Sequence, residues 1–264
     1  MRAGQNGQSL TKLVEIMQRL LGPGGCPWDQ EQSLETLRPF VIEEAHEVVD
    51  AIDRGSPEHL REELGDLLLQ IVFQAELARS KGWFGPDDVV DAICEKLIRR
   101  HPHVFGDEKV SGTEEVLQNW ELLKAKEKAG RGALEGVPAA LPGLLRAVRV
   151  GEKASRFGYD WKDTEGVRAK VSEELAELDL ALASGDMNAA EQELGDVLFA
   201  LASLARKTHL DPEAALRGTL ARFSERFSSA EKRAADRGTT LDKMNDESRD
   251  ELWEEVKRDE KCRL

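Results

Sequence analysis

Apolar positions along the chain recur at the three- and four-residue spacing of amphipathic helices. In the first half, two such stripes run over residues 41–52 and 64–75. In the second half, similar stripes run over residues 175–182 and 194–205. No stretch alternates apolar and polar residues over a useful strand length. The pattern therefore predicts an all-α fold.

Short turn sequences separate the two stripes of each half. Gly55, Ser56 and Pro57 stand between the first pair, and Ser184, Gly185 and Asp186 stand between the second pair. Glycine ends helices, whereas Ser, Asp and Pro begin them. We therefore expect an antiparallel helix pair in each half, with flanking helices that complete a core of the four-helix-bundle type.

The chain repeats itself once. The strings IEEAHEVVDAI (42–52) and REELGDLLLQIVFQAELA (61–78) match SEELAELDLAL (172–182) and EQELGDVLFALASLA (191–205). The offset is 130 residues for both pairs of strings. A Gly- and Pro-rich segment, residues 130–143, lies between the halves. A tandem repeat of two helical domains is predicted, with boundaries at 1–136 and 137–264.

Composition narrows the class of protein and its partners. The 264 residues include 37 Lys and Arg against 51 Asp and Glu, a net charge of −14 that argues against a duplex nucleic acid partner. Cys26, Cys94 and Cys262 are far apart and form no Cys-x-x-Cys pair, which favours a reducing compartment. No apolar run approaches the ~20 residues of a membrane span, and no signal peptide is evident. We expect a cytoplasmic protein without a membrane partner.

Five acidic residues occupy matching positions in the two halves. They are Glu43, Glu44, Glu47, Glu63 and Asp66 in the first half, and Glu173, Glu174, Glu177, Glu193 and Asp196 in the second half. Within each half they lie at i, i+1 and i+4 on one helix and at i, i+3 on the next. Because the two helices are expected to be antiparallel neighbours, the five acids of each half can converge.

A metal site explains why these acids are the same in both halves. Like charges at i, i+4 destabilise a helix by about 0.2–0.5 kcal/mol per pair, so solvated acids would be expected to diverge after a duplication. An all-carboxylate site is hard, which favours Mg²⁺, with Mn²⁺ as a substitute, over zinc. Five acids could hold more than one ion.

Basic and aromatic positions also recur. Lys96, Arg100, Trp120 and Lys124 correspond to Arg222, Arg226, Trp253 and Lys257. Arginine and lysine are the natural partners of phosphate groups. The tryptophans fit packing in a core as well as contact with a ligand.

Two other interpretations are open at this stage. A di-iron carboxylate bundle requires Glu-x-x-His on two helices. Glu43 and His46 provide it once, but the second half has Ala176 at the corresponding position. A non-enzymatic helical scaffold or partner-binding module is the alternative if the acids are merely solvated.

The sequence resembles the MazG family of nucleoside triphosphate pyrophosphohydrolases. The strings that carry the resemblance are EEAHE with ELGD, EELAE with ELGD, GGCPWD, RRHPHVFGD and GYDW. The similarity is to the two-domain bacterial form and covers about residues 9 to 260. It implies an all-α homodimer that completes four-helix bundles, binds Mg²⁺, and hydrolyses NTPs to NMP and pyrophosphate.

The resemblance also implies roles for the residues of the second half. Glu173, Glu174, Glu177, Glu193 and Asp196 would ligate or organise Mg²⁺, and one of them would orient or deprotonate the attacking water. Lys170, Arg222, Arg226 and Lys257 would bind the triphosphate, and Trp253 would lie against the nucleoside. The first half departs from this pattern, because Phe40 stands where the second half has Lys170. We therefore expect the second half to dominate the activity.

Overall fold

The computed structural model describes residues 6–116, 119–120 and 132–261. Lys124 and Cys262 lie outside these residues. The chain divides into two compact units, Met1–Ala129 and Gly130–Leu264. All regular structure in the described residues is helical, which confirms the prediction of an all-α tandem repeat. No helix among them is both long enough and apolar enough to cross a membrane.

The first unit is built around a long helical hairpin with shorter helices on either side. Its helices are α1 (Asn6–Leu21), α2 (Pro27–Gln30), α3 (Arg38–Asp53), α4 (Pro57–Ser80), α5 (Pro86–Arg100) and α6 (Pro102–Phe105). Helices α3 and α4 form the hairpin, and α1 packs against α4. The buried core joins Met17 of α1, Leu37, and Val72 and Phe73 of α4.

The second unit has the same central hairpin. Its helices are α7 (Gly143–Ser155), α8 (Thr164–Ser184), α9 (Met187–Lys207), α10 (Pro212–Asp236) and α11 (Asp246–Lys261), with a 3₁₀ turn at Leu241–Lys243. Helices α8 and α9 form the hairpin, and α7 packs against α9. A second core joins Ala230 and Ala234 of α10 to Leu252 and Val256 of α11.

The predicted turn residues begin and end the helices of both hairpins. In the first unit, Gly55 has a φ of +64° and the hydroxyl of Ser56 accepts a hydrogen bond from the backbone N–H of His59. In the second, Gly185 has a φ of +76° and Asp186 accepts from the N–H groups of Asn188 and Ala189, each at 3.1 Å. These caps satisfy helix-end donors that would otherwise lack partners.

The apolar stripes of the hairpins are only partly buried within one copy of the chain. Leu64, Leu68 and Ile71 are 41–49% exposed on α4, and Leu194 and Leu198 are 46–49% exposed on α9. The buried apolar residues of these two helices lie on other faces, and they are Val72, Phe73, Ala75 and Ala78 on α4 and Ala190, Val197, Ala200 and Ala202 on α9. Several larger apolar side chains of the stripes therefore stay on the outer face of each unit.

Candidate metal centre

Three carboxylates of the second half meet across the α8–α9 hairpin. Glu174, Glu177 and Glu193 each offer an oxygen within 4.8 Å of the other two. We call these three residues the second-half cluster. Glu174 is only 5% exposed, whereas Glu177 lies at the surface. The cluster thus has one buried and one open side, as a site needs if it is to admit a ligand.

The first half forms a related group across the α3–α4 hairpin. Glu44, Glu63 and Asp66 offer oxygens within 4.8 Å of one another, and we call them the first-half cluster. At the 130-residue offset, Glu44 and Glu63 correspond to Glu174 and Glu193. The third member differs between the halves. It is Asp66 in the first half and Glu177 in the second, and these two residues do not correspond at the 130-residue offset.

The structure therefore brings oxygens of three of the five acids predicted in each half within 4.8 Å of one another. Glu43 lies outside the first-half cluster, as does Glu47, although Glu47 shares a hydrogen bond with Glu44. Glu173 and Asp196 lie outside the second-half cluster. His46 belongs to neither cluster, so the described residues do not provide the histidine that a di-iron site requires.

The pKa values of the clustered acids show how closely their charges crowd. Burial, and then the charges of Asp66 and Glu47, raise the pKa of Glu44 above its usual value. Burial, and then the charges of Glu174 and Glu193, raise the pKa of Glu177 in the same way. Both effects disfavour the ionised carboxylate, and a cation in the cluster would relieve them.

The clusters fit a small, hard divalent cation. Mg²⁺ prefers oxygen ligands at about 2.0–2.1 Å, so two ligands on opposite sides of the ion lie about 4.2 Å apart. Adjacent ligands lie only about 3 Å apart, so the three oxygens of each cluster, which lie within 4.8 Å of one another, would have to move closer together around a bound ion. The donor set contains no thiol or imidazole, which disfavours zinc.

Lys170 supplies positive charge beside the second-half cluster. Its ammonium group lies 2.8 Å from Glu173 Oε1 and 2.6 Å from Glu174 Oε1. These contacts raise the pKa of Lys170 well above its usual value, so the side chain is charged at neutral pH. A positively charged side chain therefore lies one helical turn before Glu174, at the position from which the sequence predicts a phosphate contact.

Phe40 occupies the matching position of the first half, and there it is part of the core. Its ring meets that of Trp28 edge to face with centroids 6.1 Å apart, and it packs against the buried cluster that includes Leu37 and Val72. At the position of Lys170, the first half therefore places an apolar ring and no charge.

The other predicted phosphate ligands lie on the α10–α11 pair, where they have partners of their own. Arg226 Nε donates to Glu260 Oε2 at 2.7 Å, Lys257 pairs with Glu254, and Arg222 donates to the hydroxyl of Thr219. Trp253 packs on the apolar core of this pair and meets the ring of Phe223 at a centroid distance of 5.3 Å. None of the four contacts an acid of the second-half cluster within the described part of the chain.

The corresponding first-half positions are described only in part. Arg100 is buried and lies over the ring of Trp120, with its guanidinium carbon 5.5 Å from the ring centroid. Lys96 is on the same helix and is exposed. The predicted partner Lys124 falls outside the described residues.

Sequence reasoning missed an ion-pair group that anchors the segment before α8. Asp160 accepts a hydrogen bond from Arg206 Nη1 at 3.1 Å, pairs with Arg206 Nη2, and lies 2.9 Å from Lys207 Nζ. The hydrogen bonds from Arg206 lower the pKa of Asp160 to about 2. A Cβ atom on Gly151 of α7 would lie 3.0 Å from Arg206 Nε, so the glycine leaves room for the guanidinium group.

Comparison of the two halves does not reveal the ion pairs of Asp160. At the 130-residue offset, Arg206 corresponds to Glu76, which accepts a hydrogen bond from Gln18 at 3.1 Å in the first unit. The two halves thus fill one position with opposite charges. The only signal in the sequence is the adjacent pair Arg206 and Lys207 at the end of α9, two helices after Asp160.

Comparisons with known proteins agree with this architecture. The MazG nucleotide pyrophosphohydrolase domain matches twice, over residues 32–105 and 162–229. The chain is 43% identical to the nucleoside triphosphate pyrophosphohydrolase/pyrophosphatase MazG of Thermotoga maritima, over 93% of this chain and 94% of that one. It is 42% identical to the nucleoside triphosphate pyrophosphohydrolase of Escherichia coli K12, over 95% of this chain and 98% of that one.

A third relative is longer. The chain is 42% identical to the Bacillus subtilis protein YabN over 93% of this chain but only 51% of YabN. The double domain match and the similarity along nearly the whole of two relatives lead to one conclusion: this chain belongs to the MazG family of nucleotide pyrophosphohydrolase enzymes and carries two copies of its domain.

Proposed function

We propose that this chain is a Mg²⁺-dependent nucleoside triphosphate pyrophosphohydrolase that converts NTPs, ATP among them, and dNTPs to NMP and pyrophosphate. The observation that carries the proposal is the second-half cluster of three carboxylates. It occurs in a chain 42–43% identical, nearly end to end, to proteins named for this activity.

The acids of the second half would have two roles, metal binding and activation of the attacking water. Glu174, Glu177 and Glu193 would hold the metal, and Glu173 and Asp196 stand next to them in sequence and on the same hairpin. A Mg²⁺ ion held there, or Mn²⁺ in its place, would supply positive charge to the phosphate oxygens and favour ionisation of the attacking water. One acid of the five would orient or deprotonate that water.

The basic residues would hold the triphosphate for displacement at the bond between the α and β phosphates. Lys170 is beside the cluster already, at 2.6 Å from Glu174. Arg222, Arg226 and Lys257 would add charge from α10 and α11, and Trp253 would lie against the nucleoside. Because Arg226 and Lys257 are paired with Glu260 and Glu254, binding requires an exchange of carboxylate for phosphate.

Dominance of the second half follows from the phosphate side of the site. Both halves have a three-carboxylate cluster, so the acids alone do not distinguish them. Lys170 holds a positive charge beside the second-half cluster that could pass from carboxylate to phosphate, whereas Phe40 offers no charge and packs against the core of the first half.

The exposed apolar stripes support a homodimer. Leu194, Leu198 and Leu201 lie 43–49% exposed along α9, and Leu175 and Leu182 lie 46–50% exposed on α8. Exposed apolar surface that is continuous along a helix pair indicates an interaction site. A second copy of the hairpin would bury it and complete a four-helix bundle.

The test is a panel of NTPs and dNTPs assayed with Mg²⁺, with the products resolved by phosphorus NMR. NMP and pyrophosphate are expected as the primary products, and EDTA should abolish turnover. NDP and orthophosphate as primary products would refute the assigned bond. Turnover that survives EDTA would refute the role of the metal.

A further inference from the structure

Lys170 and a divalent cation would compete for the same acid. The ammonium group of Lys170 contacts Glu173 at 2.8 Å and Glu174 at 2.6 Å. Glu174 is also the buried member of the second-half cluster. The lysine and a metal ion would thus draw on the same negative charge.

The first-half cluster provides an internal comparison. The corresponding acid, Glu44, meets only other acids among its main electrostatic neighbours, which include Asp66, Glu47 and Glu63. Within the described residues, no ion pair joins a lysine or arginine to a member of this cluster. Phe40, at the position of Lys170, is packed into the core.

We propose that Lys170 is a built-in counter-ion of the second-half cluster, which it neutralises until an arriving divalent cation displaces it. This inference rests on the proposed metal site. Mg²⁺ bound at about 2.0–2.1 Å to either oxygen of Glu174 would lie within a few ångströms of the ammonium group that contacts Oε1 at 2.6 Å. The two positive charges repel each other, so we expect the lysine to leave the carboxylate when the metal enters.

A displaced ammonium group needs a new anionic partner. A triphosphate that arrives with the metal supplies one, because its oxygens replace the lost carboxylate contacts. Lys170 therefore weakens the binding of free metal to the second half and favours its binding together with the nucleotide. In the first half, where the described residues offer no lysine or arginine to the cluster, free metal would bind without this competition.

The test measures Mn²⁺ binding to the full chain by the electron paramagnetic resonance signal of the free ion. Glu44→Gln with Glu63→Gln disables the first-half cluster, so that the remaining binding reports the second. In this background, Lys170→Gln is expected to tighten Mn²⁺ binding on the order of tenfold, the effect of removing one charge about 5 Å from a divalent ion in water. Lys170→Met serves as a second neutral variant.

Two controls isolate the charge at this position. Lys170→Arg keeps the charge and should leave Mn²⁺ affinity close to that of the parent. Lys232→Gln removes one positive charge from an exposed position on α10 and should also leave the Mn²⁺ affinity unchanged.

Thermal unfolding gives a second measurement. Lys170→Gln should lower the melting temperature in EDTA, and saturating Mn²⁺ should remove this difference from the parent.

The outcomes separate the inference from the proposed function. Unchanged or weaker Mn²⁺ binding in both neutral variants would overturn the role of Lys170 while leaving the metal site intact. If the parent and both neutral variants bind no Mn²⁺ at millimolar concentration, the proposed metal site fails, and the inference fails with it.

Discussion

Glu174 is the residue at which burial and charge conflict most directly. It is 5% exposed, yet it lies within reach of Glu177 and Glu193. An ionised carboxylate in such surroundings is unfavourable without a compensating cation. Lys170 provides one, and a bound metal would provide a stronger one.

Replacing Glu174 with Gln keeps the volume of the side chain and removes its charge. We expect turnover to fall about a hundredfold or more, since even residues that only orient a metal ligand are worth about 10- to 100-fold. The circular dichroism spectrum should stay helical, because the fold does not depend on this charge. Steady-state release of pyrophosphate is the measurement.

Glu44→Gln is the matched control for this variant. It makes the same change at the corresponding position of the first half and should leave most of the turnover. Near wild-type activity in Glu174→Gln would instead identify Glu174 as a structural acid that is neutralised by Lys170.

At the scale of elements, the segment before α8 is held to the end of α9 by Asp160. Arg206 and Lys207 both contact this carboxylate, whose side chain is 17% exposed. The pKa of Asp160 is lowered from 3.8 to about 2, chiefly by the hydrogen bonds from Arg206. The folded state therefore favours the ionised form.

This shift predicts a pH-dependent contribution to stability. A lowered pKa stabilises the fold by about 2 kcal/mol above the unfolded value of 3.8, and that stability is lost as the pH falls from about 4 towards 2. Asp160→Asn should therefore lower the free energy of unfolding by about this amount at pH 6. The difference from wild type should shrink at pH 3. Urea unfolding at both pH values measures it.

Asp250→Asn is the control for the acid-to-amide change. Asp250 is exposed on α11, and the change should leave the free energy of unfolding within about 0.5 kcal/mol of wild type. An Asp160→Asn variant as stable as wild type at pH 6 would show that the three charged groups contribute nothing net.

The elements themselves were predictable because their signals are local. Ser56 and Asp186 cap helices through their own side chains, and Gly185 adopts a positive φ that other residues avoid. The acids were predictable from their recurrence at one offset. Which three of five acids meet was not, because that depends on how each helix is rotated in its hairpin.

Two other features escaped the sequence for different physical reasons. Periodicity shows that Leu194 and Leu198 share a helix face, but it does not distinguish a face buried within the unit from one left exposed. The contact of Asp160 with Arg206 joins residues 46 apart in the chain. The first half has Glu76 at the position of Arg206, so comparison of the two halves gives no sign of this contact.

At the scale of the molecule, the two halves are expected to differ in activity. Glu173→Gln with Glu174→Gln should remove most of the turnover, and Glu43→Gln with Glu44→Gln should leave most of it. The reason is that Lys170 can contact the triphosphate, whereas Phe40 at the matching position cannot. Such a charge-assisted contact in the transition state is worth on the order of 1.5–3 kcal/mol, or roughly 10- to 150-fold in rate. Turnover of the two double variants, measured side by side, checks the asymmetry. Equal losses, or a larger loss from the first-half pair, would contradict it.

The oligomeric state can be tested through the exposed stripe of α9. Leu198 is 46% exposed, and Leu198→Glu should convert a dimer to a monomer in sedimentation velocity, because a carboxylate would be buried unpaired at the proposed interface. Leu180→Glu is the control, since Leu180 is 69% exposed and lies off the stripe. If Leu198→Glu sediments as wild type does, the stripe is not the interface.

The placement of Phe40 makes the divergence of the two halves hard to reverse. A single exchange to lysine would supply the missing charge, but it would also remove a ring that packs against Trp28 and the core around Leu37. Replacing a fully buried Phe with Ala typically costs about 3–5 kcal/mol, and the exchange of the half-buried Phe40 for a lysine would cost a part of that. A lineage that restored a second full site would first pass through a less stable chain. Selection for stability alone would therefore keep the first half specialised, whatever the demand for catalysis.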